Sequence, residues 1–337
     1  MRGSRAEVAK RAGVSTATVS YVLNNKGNVS EETRQKVHHA IKELDYKPNL
    51  IARSLVTNET MQLGIVLNDI VNPFFGEIIM GFENAAIDHG YFVNVCTGYK
   101  NLDAYYDNFI SRRIDGLFVA AISSKFHMEK IYNLVDAGIK VVISGNPQVD
   151  MKRVSSLETD CVGAMDQAVS YLVGLGHKDI AFVSGISRSL KFDSRLDGYL
   201  LAVKKFGLPC QDSLLIDGTA PYDTNVQDGY NLTRKLIASK KHFTAIIGTN
   251  DLMAIGAIKA LNEAGYNVPE DVSVMGFDDI YLGTIWKPYL TTMSVSKTQI
   301  GQKAFEFLYS NIKHGNTGFY MSKYELLIRE STGLCRL

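Results

Sequence analysis

The sequence is poor in cysteine and contains no long apolar run. Its 337 residues include four widely spaced cysteines, at Cys96, Cys161, Cys210 and Cys335. This spacing fits neither a metal-binding motif nor a disulfide framework, so we expect reduced thiols in a cytoplasmic protein. No stretch of about 18 residues is continuously apolar, and the N-terminus has no hydrophobic segment, so neither a membrane span nor a secretory signal is predicted.

Motifs that mark common catalytic and nucleotide-binding sites are also missing. No Gly-x-Gly-x-x-Gly follows a strand, and the sequence has no Walker A loop, no Gly-x-Ser-x-Gly elbow and no His-Glu-x-x-His. The histidines include the adjacent pair His38-His39, whose side chains face different ways on a helix. We therefore expect no catalysis, no metal site and no bound cofactor.

Charge, by contrast, is present and unevenly distributed. The net charge is +1, but residues 1–60 carry 10 basic against 6 acidic side chains, and the remainder is slightly acidic. A basic head on an acidic body is typical of a nucleic-acid-binding module joined to a second part. With 46% hydrophobic and 21% charged residues, a chain of this length is predicted to form two or three globular domains.

Three short helices are predicted in the head. Helix formers run over Arg5–Ala12 and stop at Gly13, and Ser15 can cap a second helix over Thr16–Leu23. A third helix begins after Ser30 and has its own apolar stripe. Two short helices joined by a tight turn and supported by a third form a helix-turn-helix, although the pattern alone also allows a plain three-helix bundle.

The second helix of such a motif enters the major groove of DNA. Its apolar positions face the core, so short polar side chains and one tyrosine point outward towards base edges. We expect the basic side chains of Arg11, Arg34 and Lys36 to lie near phosphates.

Residues 7–24 and 46–55 carry a more specific signal. They read Glu-Val-Ala-Lys-Arg-Ala-Gly-Val-Ser-Thr-Ala-Thr-Val-Ser-Tyr-Val-Leu-Asn and Tyr-Lys-Pro-Asn-Leu-Ile-Ala-Arg-Ser-Leu. In this order and spacing they resemble the DNA-binding head and hinge helix of the lactose/galactose repressor (LacI/GalR) family of bacterial transcriptional regulators, and the resemblance runs through nearly the whole chain. The sequence departs from the family at Tyr21, where many members have a basic or imidazole side chain, and in the residues before Val8.

The resemblance implies a hinge helix and linker over residues 49–60. Pro48 ends the third helix, and a capped helix of about two turns is marginal in water, so it should order only against its dimer mate in the minor groove. Leu55 is then the apolar wedge at the operator centre, and Ala52 lets the paired hinges approach. The predicted DNA contacts are Ser15, Thr16, Ala17, Thr18, Ser20, Tyr21, Asn24, Arg34, Asn49, Ala52, Arg53 and Leu55.

After residue 61, short apolar runs alternate with amphipathic helices that often end in glycine. The runs at residues 63–67, 92–96, 116–119, 141–143, 180–183, 245–248 and 272–276 predict strands of doubly wound parallel α/β sheets. The resemblance implies a two-lobed, periplasmic-binding-protein-like core with a ligand cleft. We place the head at residues 1–48, the hinge at 49–60 and the effector-binding and dimerisation core at 61–337, with lobe one at 61–160 and 291–322 and lobe two at 161–290 and 323–337.

Candidate effector contacts follow predicted strand ends, where parallel sheets bind ligands. By resemblance, Arg195, Asn250 and Asp278 make polar contacts and Phe74 stacks on the effector. Several alternatives remain open: Asn250 and Asp251 can cap a helix, Phe75 can belong to the core, and Arg195 can pair with Asp193 or Asp197. The complete predicted set is Phe74, Phe75, Lys191 as a possible phosphate partner, Arg195, Asn250, Asp278 and Trp286.

These features predict a DNA-binding transcriptional repressor of carbohydrate-utilisation genes, controlled by a sugar or sugar phosphate in the cleft. A purine or nucleoside, or a phosphocarrier-type protein, remains open as the effector. A solute-binding protein is the alternative from another class, but the helix-turn-helix and the missing signal peptide argue against it. We expect a homodimer on palindromic double-stranded DNA, without a membrane partner, and the lack of a C-terminal heptad tail favours a dimer over a tetramer.

Overall fold

A computed structural model describes residues 4–23, 27–47, 54, 57, 59–97, 101–120, 128–145, 149–185, 193–209, 214–218 and 224–336. The chain divides into two compact units, Met1–Thr60 and Met61–Leu337. Within the described ranges, no helix has both the length and the apolar character that a bilayer crossing requires.

In residues 4–23 and 27–47, the first unit forms helices α1 (Arg5–Ala12), α2 (Thr16–Leu23) and α3 (Glu31–Glu43). Helix α1 begins with a capping box, in which Ser4 and Glu7 exchange hydrogen bonds between side chain and backbone. Helix α3 begins at the cap Ser30. The three helices bury Val8, Ala9, Ala12, Val19, Val22, Val37, Ala40 and Tyr46 in one small core. The predicted helix-turn-helix is therefore confirmed.

The first lobe of the second unit is built on a six-stranded sheet of order β11-β5-β4-β3-β1-β2. Its strands are β1 (Gln62–Leu67), β2 (Phe92–Thr97), β3 (Gly116–Ala120), β4 (Lys140–Ser144), β5 (Ser155–Thr159) and β11 (Phe319–Ser322), and every pairing is parallel. Helices α4 (Pro73–Asp88), α5 (Leu102–Arg112), α6 (Met128–Asp136) and α11 (Lys297–His314) pack with this sheet.

The second lobe repeats this plan with a six-stranded sheet of order β12-β10-β9-β8-β6-β7. The strands are β6 (Ile180–Ser184), β7 (Leu215–Asp217), β8 (Ala245–Gly248), β9 (Ser273–Phe277), β10 (Thr291–Ser294) and β12 (Glu325–Leu327), of which only β12 is antiparallel to its neighbour among the described pairings. The helices are α7 (Cys161–Gly174), α8 (Ser194–Lys205), α9 (Val226–Ala238) and α10 (Asp251–Glu263). The predicted α/β class with two parallel-dominated sheets is confirmed.

One predicted lobe boundary is wrong. The sequence predicts residues 291–322 in lobe one, but Thr291–Ser294 forms strand β10 of the second sheet, where Thr291 lies opposite Met275 of β9. The chain passes to the first lobe only after β10, and helix α11 begins there at Lys297. Two neighbours, β9 and β12, flank β10, and their backbone hydrogen bonds hold this segment in the second sheet.

Candidate functional site

Helix α2 separates the predicted DNA contacts from the core of the head. Val19 and Val22 are buried against the other two helices. The predicted contacts lie on the remaining faces, exposed at Thr16, Ala17 and Tyr21 and half-buried at Thr18 and Ser20. A short helix with one packed side and one small polar side has the form that fits a major groove.

Two predicted contacts also shape the ends of helix α2. The Ser15 hydroxyl accepts a hydrogen bond from the Thr18 backbone N–H at 3.0 Å, so Ser15 caps the helix as predicted. The Tyr21 side chain is 52% exposed, and its ring lies against the turn at Gly27, where an added Cβ would be 3.6 Å from the Tyr21 Cγ. The exposed ring is thereby supported from one side.

The three basic side chains that we expected near phosphates all have acidic neighbours. Arg11 makes a two-pronged contact with Glu43, at 2.9 Å from Nε and 2.5 Å from Nη2, and the Glu43 hydrogen bond raises the pKa of Arg11. Lys36 Nζ lies 2.7 Å from a Glu32 carboxylate oxygen, and Arg34 Nε lies 3.8 Å from Glu31. A DNA phosphate that binds one of these basic side chains must compete with its carboxylate neighbour. Of the three contacts, the one between Arg34 and Glu31 is the longest and should compete least.

Six predicted site residues lie outside the described residues: Asn24, Asn49, Ala52, Arg53, Leu55 and Lys191. The roles implied for them by resemblance stay predictions.

Arg195 is the centre of the candidate effector site. The N-cap Asp193 accepts hydrogen bonds from the backbone N–H groups of Arg195 and Leu196, both at 3.1 Å, and so places Arg195 in the first turn of helix α8. The guanidinium donates from Nη1 to the Thr249 carbonyl at 2.6 Å and from Nη2 to Asp278 Oδ1 at 2.7 Å. Its ion-pair partner is thus Asp278, not Asp193 or Asp197.

The surroundings of Arg195 keep it charged and oriented. Nη2 also donates to the Tyr324 hydroxyl at 3.1 Å, and the guanidinium carbon lies 5.2 Å from the centre of the Phe277 ring. Burial lowers the pKa of Arg195, but Asp278, Tyr324 and Cys161 together outweigh this effect, and the net pKa lies well above the ordinary value. Burial raises the pKa of the Tyr324 hydroxyl, which therefore keeps its proton. The site therefore presents a permanent cation held by a carboxylate and a phenol.

Asp278 and Asp279 form a left-handed turn after strand β9. Their φ angles are 103° and 53°, in a region that non-glycine residues rarely occupy. The Asp278 backbone N–H donates to the Met293 carbonyl at 2.8 Å, and the Asp279 carboxylate accepts from Arg329 at 2.5 Å and from the Ser294 hydroxyl at 3.0 Å. These contacts hold Asp278 in position beside Arg195.

Asn250, a predicted effector contact, is the N-cap of helix α10. Its Oδ1 accepts from the Met253 backbone N–H at 2.9 Å, and its Nδ2 donates to the Thr224 carbonyl at 3.0 Å. Asp251 is the first residue of the helix and is buried, and its carboxylate accepts from the Thr292 hydroxyl and the Ile280 N–H. Asn250 therefore caps helix α10. An effector would have to bind through the hydrogen-bonding capacity of the amide that Met253 and Thr224 leave unused.

A cavity of about 170 Å³ opens between the two lobes at their strand ends. Its lining is mostly polar and comprises Asn68, Asp69, Asn72, Phe75, Thr224, Asn225 and Leu252. Asn72 caps helix α4 by accepting from the Phe74 N–H at 3.0 Å, and the Phe74 and Phe75 rings meet edge to face with centres 5.2 Å apart. Phe75 is buried in the core and still reaches the cavity, whereas Phe74 is half-buried beside it.

Of the predicted effector contacts, Phe75 lines this cavity, whereas Phe74, Arg195, Asn250, Asp278 and Trp286 are not among its lining residues. Trp286 follows the short 3-10 helix Tyr281–Thr284 and is 63% exposed. The chain beyond it turns towards the groove lined by Lys287, Pro288 and Glu330, where Lys287 pairs with Glu330 at 3.2 Å. The role of Trp286 as an effector contact stays a prediction.

Several residues of the site were missed by the sequence reasoning. Asn68 and Asp69 follow β1 directly, the same signal that supported Phe74 and Phe75, and could have been found. Tyr324 could not, because its contact with Arg195 joins positions 129 residues apart and depends on how β11 and β12 return to the lobes.

Comparisons with known proteins agree with this architecture. Residues 6–49 match the family model "Bacterial regulatory proteins, lacI family", and residues 60–325 match "Periplasmic binding proteins and sugar binding domain of LacI family". The chain belongs to the LacI family. The predicted resemblance is thus confirmed.

Relatives in the LacI family give the same result over whole chains. The HTH-type transcriptional repressor PurR of Pasteurella multocida is 33% identical over 96% of this chain and 97% of its own, and that of Vibrio parahaemolyticus is 34% identical over the same shares. The lac repressor bound to ONPG has a TM-score of 0.84 at 25% identity, covering 98% of this chain and all of its own. A CelR–cellobiose complex has a TM-score of 0.73 at 27% identity, with 98% and 100% coverage. This LacI-family protein is a DNA-binding transcriptional repressor with an effector-binding core.

Proposed function

We propose that this repressor acts in the cytoplasm as a homodimer on a palindromic operator, and that a sugar or sugar phosphate in the interlobe cavity controls it at carbohydrate-utilisation genes. The head supports the first part, because the exposed small side chains of α2 suit base edges and two heads related by symmetry suit a palindrome. Relatives named as transcriptional repressors support a regulator rather than an enzyme.

Two observations carry the effector proposal: the pairing of Arg195 with Asp278, and the cavity with polar walls between the lobes. A guanidinium donates two parallel hydrogen bonds and a carboxylate accepts two, so together they suit the neighbouring hydroxyls of a sugar. Amide and hydroxyl groups at Asn68, Asn72 and Thr224 add partners from both lobes. The cellobiose complex of CelR, a relative of the same fold, supports this class of ligand.

A purine or nucleoside is the second candidate. The edge of a purine base also offers acceptors to an arginine and a donor to a carboxylate. The half-buried ring of Phe74 lies in the first turn of helix α4 and provides an aromatic face for a base. The polar majority of the cavity lining favours the sugar.

The first experiment is a selection of bound duplexes from a random pool of about 20 base pairs, the span of two half-sites. The full chain is compared with a chain lacking residues 1–60. Enrichment of a palindrome by the full chain alone supports the operator proposal. Enrichment by neither protein contradicts operator binding without a ligand, and the selection is then repeated with ligand present.

The effector is identified by adding cellobiose, glucose, glucose 6-phosphate, adenosine and guanine separately to the protein–operator complex. We expect a sugar or sugar phosphate to shift operator affinity by about tenfold or more, since allosteric couplings typically have this size. A shift caused only by adenosine or guanine replaces the sugar with the second candidate. No shift with any of the five contradicts both small-molecule classes and directs the search to a phosphocarrier-type protein.

A further inference from the structure

Lys297 is a buried lysine at the start of helix α11. Its side chain is 5% exposed, and its ammonium group lies 2.8 Å from the Asp278 carbonyl, 2.8 Å from the Asp279 carbonyl and 3.4 Å from a Glu77 carboxylate oxygen. Lysine is seldom buried unless its charge is paired, and these acceptors match its three N–H bonds. The three partners come from two lobes, since Asp278 and Asp279 follow β9 whereas Glu77 belongs to α4.

At one end, Lys297 is fixed to the first lobe. Helices α4 and α11 cross so closely that a Cβ on Gly81 would lie 2.2 Å from the Thr298 carbonyl oxygen, and one on Gly301 would lie 2.1 Å from the Ile78 carbonyl oxygen. Backbone contacts of this kind leave no room for sliding. The first turn of α11 therefore moves together with α4.

At the other end, the lysine holds the turn that carries the candidate effector residue. Asp278 presents its carboxylate to Arg195 and its carbonyl to Lys297, so a change on one side of the residue reaches the other through a single backbone unit. Both residues of the turn have positive φ and need support to remain there. The two hydrogen bonds from the ammonium group supply part of that support.

We propose that Lys297 is the positioning residue that couples effector occupancy at Asp278 to helix α4 of the first lobe. The coupling to an effector rests on the proposed function, whereas the mechanical link between the lobes does not. An effector that accepts a hydrogen bond from Arg195 or donates one to Asp278 shifts the Asp278–Asp279 carbonyls, and Lys297 carries this shift to Glu77 and α4. Because Lys297 is not among the lining residues of the cavity named above, its loss uncouples the sites without removing a ligand contact.

The link between lobes is tested without any effector, by hydrogen exchange on the full-length protein. The variants are Lys297→Met, which keeps the chain length but removes the donors, and Glu77→Gln, which leaves the lysine in place. Glu83→Gln is the matched control, because Glu83 is exposed on the same helix α4. We expect exchange of the amides at residues 277–281 in the second lobe to be about tenfold faster in Lys297→Met and about two- to threefold faster in Glu77→Gln.

The control should exchange like the wild type in this segment. An unchanged rate at residues 277–281 in Glu77→Gln would overturn the proposal, because a change in the first lobe would then not reach the effector turn. If Lys297→Met does not fold, the Glu77→Gln comparison still decides.

Operator titrations then test the coupling to effector, with whichever of the five small molecules shifts the wild type. We expect Lys297→Met to bind operator and that molecule within about threefold of the wild-type Kd, while the ratio of operator affinities with and without it falls to near one. A merely structural lysine would weaken both bindings and leave the ratio unchanged, which contradicts the proposal. If none of the five acts on the wild type, the proposed effector class fails, and the exchange experiment alone decides for or against the link.

Discussion

A Cβ atom on Gly276 would lie 2.3 Å from Oδ1 of Asp251, so strand β9 approaches the first turn of helix α10 more closely than any side chain permits. The same Oδ1 accepts from the Thr292 hydroxyl at 2.6 Å, and Oδ2 accepts from the Ile280 backbone N–H at 2.8 Å. One buried carboxyl thereby joins α10, β10 and the turn that follows β9. This junction adjoins the candidate effector site through the turn that carries Asp278.

Gly276→Ala is expected to destabilise the second lobe. The added methyl group must displace the Asp251 carboxyl and disturb its hydrogen bonds, and overpacking of this kind costs about 1–3 kcal/mol in free energy of unfolding. Thermal or urea unfolding of the purified variant measures the loss. Gly174→Ala is the control, because Gly174 ends helix α7 and a Cβ there meets nothing within 4 Å. Equal stability of the two variants would contradict the close approach.

Asp251→Asn is expected to change how stability depends on pH. Burial raises the pKa of Asp251 well above its ordinary value of 3.8; the Thr292 hydrogen bond opposes this and the Asp278 charge adds to it. The folded wild type therefore keeps a proton that the unfolded chain releases as the pH rises past 3.8. Its stability then falls with rising pH by at most about 1.4 kcal/mol for each pH unit until the folded-state pKa is passed.

The asparagine variant cannot titrate at this position, so its stability relative to the wild type should increase as the pH rises above about 4. Urea unfolding at several pH values measures the difference between the two proteins. Asp88→Asn, at an exposed position of helix α4, serves as the surface control. A wild-type–Asp251→Asn difference that is independent of pH would show that the buried carboxyl does not hold its proton.

Much of the fold follows from local patterns in the sequence. Continuous apolar runs located β1, β3, β4, β6, β8 and β9, because strands covered on both faces need apolar side chains on both. Glycines such as Gly90 and Gly265 located helix ends, and both have the positive φ of a C′ position.

The patterns did not reveal strands whose side chains are polar. Strands β5 (Ser-Ser-Leu-Glu-Thr) and β10 (Thr-Thr-Met-Ser) carry no apolar run and were missed. Strands β7 and β11 were missed for another reason, since they are only three and four residues long. Local patterns also do not say which sheet a strand joins, so Thr291–Ser294 was placed in the wrong lobe.

The candidate site was predictable to the extent that it follows strand ends. Arg195 and Asp278 were expected in the cleft, and the structure brings their side chains within 2.7 Å of each other. The partner choice of Asn250 and the burial of Lys297 depend on contacts between residues distant in sequence. No periodicity or spacing encodes such contacts, so a residue that can either cap a helix or bind a ligand is not resolved by sequence alone.

Asp278→Asn is expected to weaken effector binding while operator binding persists. Asparagine tolerates a positive φ, so the turn keeps its backbone, but Arg195 loses its charged partner. Loss of one charge-assisted hydrogen bond should weaken binding of the active small molecule by about tenfold to a hundredfold. Calorimetric titration measures this, and Asp166→Asn, whose surface pair with Lys205 lies on helices α7 and α8, is the control. Full retention of affinity in Asp278→Asn would remove Asp278 from the effector site.

Tyr21→Ala should reduce operator selectivity without changing the salt dependence of binding. The side chain is 52% exposed and lies on the outward face of α2, so its loss should leave the head folded. A lost base contact costs about 1–3 kcal/mol against the selected operator and little against a scrambled duplex. The slope of log Kd against log salt concentration should not change, because no phosphate charge is neutralised by a tyrosine.

Arg34→Gln is the informative contrast, since a lost phosphate contact weakens binding to both duplexes and reduces the salt slope by about one. If Tyr21→Ala instead weakens both duplexes equally, Tyr21 supports the turn at Gly27 and does not read a base.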